Sequence, residues 1–244
     1  MGIQERKKRD EGRSLINSLR VFENLSVASR ELLSTSAVVQ KIRSDQFLWQ
    51  YGDSGEFFAC IVTGLIEISR PTPQGKEHAM GLFGPGDLIG MTAFLKKTSF
   101  PGSAKSISPH TTVLKFYLRH ELSRGGALTD EVSHWIREMF LLHEQILRDK
   151  IDILTAETIE YRIFEFLLHL RRRFGQVEGR TKVTIPLAVS KTQVSKIVDA
   201  RSETVFRTLT DWQKRGFIAW LPEKIIIHNF EQLEQHIQKP KKKE

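Results

Sequence analysis

Ser202-Glu203-Thr204-Val205-Phe206-Arg207 sets a carboxylate and a guanidinium four residues apart near the C-terminal end of the chain. On a helix that spacing puts both on one face. A guanidinium can donate two parallel hydrogen bonds to guanine O6 and N7 in a DNA major groove, and a carboxylate can accept from cytosine N4. The same spacing also suits a plain surface ion pair. What separates the two is the scaffold around the helix. Val205, Leu209 and Trp212 recur at steps of four and three and form an inward side, with Ser202 at its margin. Gly216 stands where a helix ends on a residue free of a steric penalty. Upstream, Ser190-Lys191-Thr192-Gln193 fits a capping box, in which the Ser190 hydroxyl and the Gln193 side chain satisfy each other's backbone N–H groups. Val194, Ile197 and Val198 then supply the buried side of a short helix, and Asp199-Ala200 leads into the second. Phe217-Ile218-Ala219-Trp220, a Pro222-Glu223 turn and Ile225-Ile226-Ile227 read as a hairpin. Helix, tight turn, helix and hairpin is the order of a winged helix-turn-helix.

Other chemistries find less support. Cys60 is the only cysteine, which excludes an internal disulfide and a four-cysteine cluster within one chain. No nucleophile–base pair marks a catalytic centre, and no metal ligand set is assigned. Haem would need His78, His110, His120 or His143, none of them in a telling context. No apolar run approaches the roughly 18 residues of a membrane span. The opening MGIQERKKRDEGR is charged and is not read as a secretory signal. The net charge of +8 suits an anionic partner. It is concentrated toward the end. Residues 155–244 hold 17 Lys+Arg against 11 Asp+Glu, so +6, and residues 1–154 hold the remaining 20 and 18, so +2.

Two further stretches must position this unit. Residues 40–118 read as short strands: Phe57, Ala59 and Ile61 alternate with Phe58, Cys60 and Val62, so both faces are apolar. Breakers follow at Thr63-Gly64, Pro71-Thr72-Pro73-Gln74-Gly75, Gly84-Pro85-Gly86-Asp87 and Phe100-Pro101-Gly102, the pattern of a compact β-barrel or sandwich. Residues 129–173 change to a helical period. Val132, Ile136, Met139, His143, Ile146 and Lys150 form a stripe that Phe140, Leu147, Ile151 and Leu154 widen. Thr129 with Asp130 serves as its N-cap region. The stripe from Val132 to Leu154 is expected to bury itself against a second copy, with a hinge before Tyr161.

With these blocks in order, the chain resembles the Crp/Fnr family of bacterial transcription regulators from about Leu19 to Leu233. Tyr51-Gly52-Asp53-Ser54-Gly55-Glu56-Phe57-Phe58, Ile61 to Ile68, and Phe83-Gly84-Pro85-Gly86-Asp87-Leu88-Ile89-Gly90 look like the turns of the cyclic-nucleotide-binding β-roll. Ser202 to Arg207 looks like the recognition helix. The resemblance implies an α+β protein: a flexible basic arm over 1–18, a β-roll sensor over 19–128, a dimerisation helix over 129–157, a winged helix-turn-helix over 158–236 and a basic tail over 237–244. It gives Glu203 and Arg207 the base-reading roles. Ser202, Thr204, Arg201, Thr192, Gln193 and Lys191 join them as further DNA contacts, mostly to phosphates. Ser202 replaces an arginine common in the family, Asp199 the usual turn glycine and Arg201 the usual cap. Asp tolerates the turn geometry, and Arg201 is placed to reach a phosphate.

The implied effector pocket comprises Gly90, Met91, Gly102, Ser103 and Ala104, with Leu147 and Arg148 from the long helix. Family members that bind cyclic nucleotides carry a glutamate at the position of Met91 and an arginine at that of Gly102. Methionine and glycine replace neither charge, so a cyclic nucleotide is disfavoured and no cofactor is assigned. The expected partners are double-stranded DNA, a second copy of the chain and RNA polymerase, in the cytoplasm and without a membrane. The rival reading is a ligand-binding interaction module whose C-terminal domain contacts protein rather than DNA.

Overall fold

The structure is a computed structural model that describes residues 3–72, 77–179 and 181–238, with side chains from Asp10 onward apart from 142–144. The His143 side chain, the basic tail from Lys239 and the centre of the Pro71–Gly75 turn lie outside the described residues. The chain divides into two units, Met1–Gln145 and Ile146–Glu244.

The first unit opens with helix α1 (Ile3–Ser18), a single helical turn at Arg20–Phe22 and α2 (Val27–Ser36). Strands β1 (Ala37–Arg43), β2 (Phe47–Trp49), β3 (Phe58–Thr63), β4 (Ile66–Pro71), β5 (Glu77–Phe83) and β6 (Leu88–Ile89) follow. After α3 (Met91–Lys96) come β7 (Ser103–Ser106), β8 (His110–Phe116), α4 (Arg119–Ser123) and the start of α5 (Ala127–Thr155). The strands form two antiparallel sheets, β1-β8-β3-β6 and β2-β7-β4-β5. Period-two patterning with Gly and Pro turns points to a compact β-barrel or sandwich, and the two sheets take the β-roll form that the family resemblance implies. Its core gathers Phe22, Phe58, Phe94, Phe116 and Leu114, closed by Val132, Trp135 and Ile136 of α5.

Two expectations are corrected here. The stretch read as a flexible arm is helical through Ser18. Ile16 is fully buried, Lys41 of β1 reaches Glu11 at 3.1 Å, and Arg13 pairs with Glu31 of α2. One apolar residue at the end of a charged segment is enough to dock it, and a net-charge reading does not register that. The stripe on α5 is also divided. Val132 and Ile136 are fully buried in their own chain, whereas Phe140, Leu141, Leu147 and Ile151 are exposed. The helix starts at Ala127, two residues before the expected cap, because Gly125 and Gly126 take positive φ and Thr129 Oγ1 donates to Gly126 O at 2.7 Å.

A carboxylate that patterning did not single out ties α5 to α2. Glu131 accepts the Ser26 N–H and hydroxyl at 2.7 Å each, and the Ser29 hydroxyl at 2.5 Å. The backbone bond from Ser26, then the two hydroxyls, hold its pKa below the usual carboxylate range. A lowered folded pKa stabilises the native state above the unfolded value, about 4.3 for Glu, and the gain is lost as pH falls through the folded one. Glu131→Gln should therefore lower Tm at pH 7, and the gap to wild type should narrow below about pH 4. Thermal melts across pH 3–7 check this, and a gap independent of pH would refute the ionised clamp.

The second unit takes the end of α5, then α6 (Ile159–Phe174), β9 (Gln176–Glu178), β10 (Lys182–Ile185), α7 (Lys191–Ile197), α8 (Ser202–Lys214), β11 (Ile218–Trp220), β12 (Ile225–Ile227) and α9 (Phe230–Gln238). The break at the expected hinge is real: Thr158 caps α6 by accepting the Tyr161 N–H at 3.2 Å. The expected hairpin is β11–β12, extended by β10 and β9 into one antiparallel sheet in the order β11-β12-β10-β9. Phe166, Leu167, Ile185, Val194, Leu209, Trp212 and Leu233 build the core. Truncating one of its large aromatics to alanine costs about 3–5 kcal/mol in cores of this kind.

Candidate nucleic-acid interface

The interface is built on α7 and α8. Ser190 and Gln193 close the capping box in both directions: the Gln193 N–H donates to Ser190 Oγ at 3.2 Å, and the Ser190 N–H donates to Gln193 Oε1 at 2.7 Å. Thr192 stands exposed on the first turn. The chain then turns through Asp199 at φ 49°, in the left-handed region. Asp visits that region more readily than most residues do, so the missing glycine costs the turn little. Arg201 occupies the N-cap of α8 without a side-chain cap and is exposed. At the far end the Phe217 N–H donates to Trp212 O and the Gly216 N–H to Gln213 O, both at 3.0 Å. That is a Schellman stop, with Gly216 at φ 75° in the role its position implied.

Val205, Thr208, Leu209 and Trp212 are the buried side of α8. Glu203 and Arg207 project from the opposite side, both exposed. Among the described residues neither enters an ion pair, and they do not pair with each other. The i,i+4 pair on this helix is Asp211 with Arg215, at 2.8 Å. The head groups of Glu203 and Arg207 are thus available to an outside partner. Arg207 also borders a cleft of about 990 Å³ that Thr204, Asp211, Arg215, Tyr161 and His236 help to line.

The flank toward α7 is tied down. Ser202 Oγ shares a hydrogen bond with Ser195 Oγ at 2.9 Å, and Lys191 Nζ donates to Gln213 Oε1 at 3.0 Å. These bonds hold the two helices in register. They also engage Ser202 and Lys191, both expected to contact DNA, although an ammonium keeps two further donors.

In the first unit, Gly90, Gly102, Ser103 and Ala104 come together around an aromatic stack. Trp49 and Phe100 lie face to face, 4.1 Å between centroids and 12° between planes, and Phe57 meets both edge-on. Trp49 Nε1 donates to Gly102 O at 2.8 Å, and the Tyr51 N–H donates to Ser103 Oγ at 2.9 Å. The stack rests on Gly90, where an added Cβ would stand 2.9 Å from the Phe100 ring. A Cβ at Gly102 would stand 2.7 Å from Ser69 O, so this backbone leaves no room for an arginine there. Met91 turns into the hydrophobic core and is only 2% exposed. Leu147 and Arg148 lie on the part of α5 that belongs to the second unit, and both are exposed. Cys60 is fully buried, and burial followed by the nearby Asp87 carboxylate pushes its thiol far up, so it stays neutral. The aromatic cluster was legible only as scattered Trp and Phe positions, because its members come from three separate segments.

The first unit is a β-roll and the second a winged helix-turn-helix, and comparison with known proteins gives the same two modules. The family model for the cyclic nucleotide-binding domain matches residues 39–120, and that for the Crp-like helix-turn-helix domain matches residues 161–236. The chain is 28% identical over 213 residues to the anaerobic regulatory protein of Bacillus subtilis (strain 168), covering 85% of this chain and 87% of that one. It is 26% identical over 193 residues to the CRP-like cAMP-activated global transcriptional regulator of Mycobacterium tuberculosis, covering 75% and 80%. The solved structure of FixK2 from Bradyrhizobium japonicum superposes with a TM-score of 0.69 at 22% identity, over 82% of this chain and 96% of that one. The chain belongs to the Crp/Fnr family of DNA-binding transcription regulators.

Proposed function

We propose that this regulator works as a homodimer in the cytoplasm, reads an inverted-repeat operator through Glu203 and Arg207, and acts on RNA polymerase. The observation that carries the reading is the placement of these two side chains. They are exposed, free of ion pairs among the described residues, and opposite the buried side of α8. Thr192, Thr204, Arg201 and one remaining face of Lys191 are assigned to phosphates, which position the helix without reading sequence. The half-sites contain a TGA-like core by family resemblance. Selection of bound sequences from random DNA tests this, followed by binding at several salt concentrations. A palindromic consensus with steeply salt-dependent affinity is expected, since phosphate contacts release counterions. Recovery of no consensus would refute it.

The proposal includes a sensor that has left cyclic-nucleotide chemistry. Binding a cyclic phosphate in the family manner needs a cation near Gly102 and an acceptor near Gly90. The Trp49–Phe100 stack, Met91 in the core and Ser103 bonded to the Tyr51 backbone supply neither. Calorimetry should give a dissociation constant for cyclic AMP and cyclic GMP above about 1 mM, weaker than about −4 kcal/mol. A micromolar constant with a matching gain in DNA affinity would overturn this. An effector shifts the equilibrium only by binding the DNA-competent state more tightly.

A further inference from the structure

We infer that Lys150 is a positioning residue for DNA reading: together with Arg162 it holds the carbonyl end of α7, and through that end it aims α8. The inference rests on the proposed DNA-reading role of α8 and deepens it. The last carbonyls of a helix find no partner within it. In α7, Val194 O accepts the Val198 N–H at 2.9 Å and Ser195 O the Ala200 N–H at 3.0 Å. Ile197 O and Val198 O are served from other elements. Lys150 Nζ of α5 donates to Ile197 O, and Arg162 Nη1 of α6 donates to Val198 O at 3.3 Å. Arg162 Nε also donates to Ala156 O, just past the end of α5, at 3.2 Å. Two cations thus meet the negative end of α7, at buried residues where water could not easily replace them. Periodicity placed Lys150 on the α5 stripe assigned to a second copy, but its ammonium reaches α7.

These carbonyls stand immediately before the turn. Asp199 follows at φ 49°, and Arg201 is already the N-cap of α8. A shift at Ile197 or Val198 therefore passes within a few residues to the start of the reading helix. On its other side α7 is fastened to α8 by the Ser195–Ser202 and Lys191–Gln213 bonds. The two helices move as a pair, and Lys150 and Arg162 set where that pair sits against α5 and α6. The neighbouring Asp149 secures α5 in turn: its Oδ2 meets His169 Nδ1 of α6 at 2.5 Å, with both side chains buried. Leu147 and Ile151, on the same stretch of α5, stand exposed on the helix expected to pair with its copy. One stretch of helix thus carries the expected dimer contacts and the tether of the reader. A two-fold dimer needs that link to be stiff, because its recognition helices must stand about one helical turn, roughly 34 Å, apart.

Lys150→Met keeps the aliphatic stem and removes the donor, whereas Lys150→Arg keeps a cation. Binding of the full-length variants to the selected operator and to a scrambled duplex is measured by anisotropy at several salt concentrations. Lys150→Met should bind the operator about tenfold more weakly, the scale of one charge-assisted hydrogen bond, and the scrambled duplex almost as wild type does. Its salt slope should stay unchanged, since a positioning residue releases no counterion. Lys150→Arg should restore most of the affinity. The deciding readout is a double-mutant cycle with Arg207→Ala. Once the base reader is gone its aim no longer matters, so Lys150→Met should then cost less than about twofold. Additive losses, a changed salt slope or wild-type operator affinity in Lys150→Met would each overturn the inference. Should Lys150→Met melt below the assay temperature, Arg162→Gln decides through the same cycle, and additive losses there count against the inference equally. Failure of the underlying reading looks different: the wild type would not distinguish the selected operator from a scrambled duplex at all.

Discussion

Arg207→Ala is expected to weaken binding to the selected operator by about 1–3 kcal/mol per lost bidentate contact, while binding to a scrambled duplex changes little. The asymmetry follows from what the guanidinium does in this structure. It holds no acidic partner among the described residues, so its removal leaves no buried carboxylate behind and the fold should be unaffected. Thermal melts of the variant should match wild type within about 0.5 kcal/mol, as for other surface substitutions. A phosphate contact behaves differently. Its loss weakens all sequences alike and reduces the salt slope by about one unit. Anisotropy on both duplexes at several salt concentrations separates the two. Equal losses on operator and scrambled DNA would make Arg207 a backbone contact and overturn its base-reading assignment.

How far the sequence foretold this site depends on the range of the signal. Local signals carried well. The Ser190–Gln193 box, the stop at Gly216 and the tolerated Asp199 turn were each visible within a few residues, because each is a bond or dihedral between near neighbours. Signals that depend on which segments meet carried poorly. Nothing local tells that Ser202 will be taken by Ser195, or Lys191 by Gln213, since both bonds cross from one helix to the next. The Trp49–Phe100 stack is similar: the positions are 51 residues apart (100 − 49), and the pairing of β2 with β7 and the backbone bonds of Phe100 with Gly52 and Asp53 bring them together. Strands β9 and β10 went unread, as each is only three or four residues long and lacks a full alternation. The docking of α1 rests on Ile16 within an otherwise charged segment.

The two units make a consistent pair of departures from the family pattern. In the roll, the chain spends aromatic surface on itself where relatives of the cyclic-nucleotide-binding kind keep charged groups. In the winged helix, it leaves aromatic surface outside at Phe206 of α8. Trp49 and Phe100 are buried and stacked inside the roll, which stabilises it.

The expected result for Leu147→Glu is a monomer with an intact fold. Phe140, Leu147 and Ile151 recur along α5 at steps of seven and four and are 40%, 50% and 59% exposed. Such a seam is the kind that packs against its own copy about a two-fold axis. Leu147 is already half covered in the single chain, so burying the rest contributes about 0.8–1.5 kcal/mol, and symmetry counts it twice: removing it forfeits about 1.5–3 kcal/mol of association before the cost of desolvating a carboxylate. That is about 10–10² in the dimer dissociation constant, and two carboxylates trapped in the seam add to it. Sedimentation at micromolar concentration should show a dimer for wild type and a monomer for the variant, and operator affinity should fall with it, since one protomer spans one half-site. Ile146→Glu supplies the contrast. Ile146 is already 7% exposed in the single chain, so a charge there should lower Tm instead of cleanly splitting the dimer. Should Leu147→Glu sediment as wild type does, the exposed seam of α5 is not the dimer interface, and a different surface must bring the two recognition helices about one helical turn, roughly 34 Å, apart.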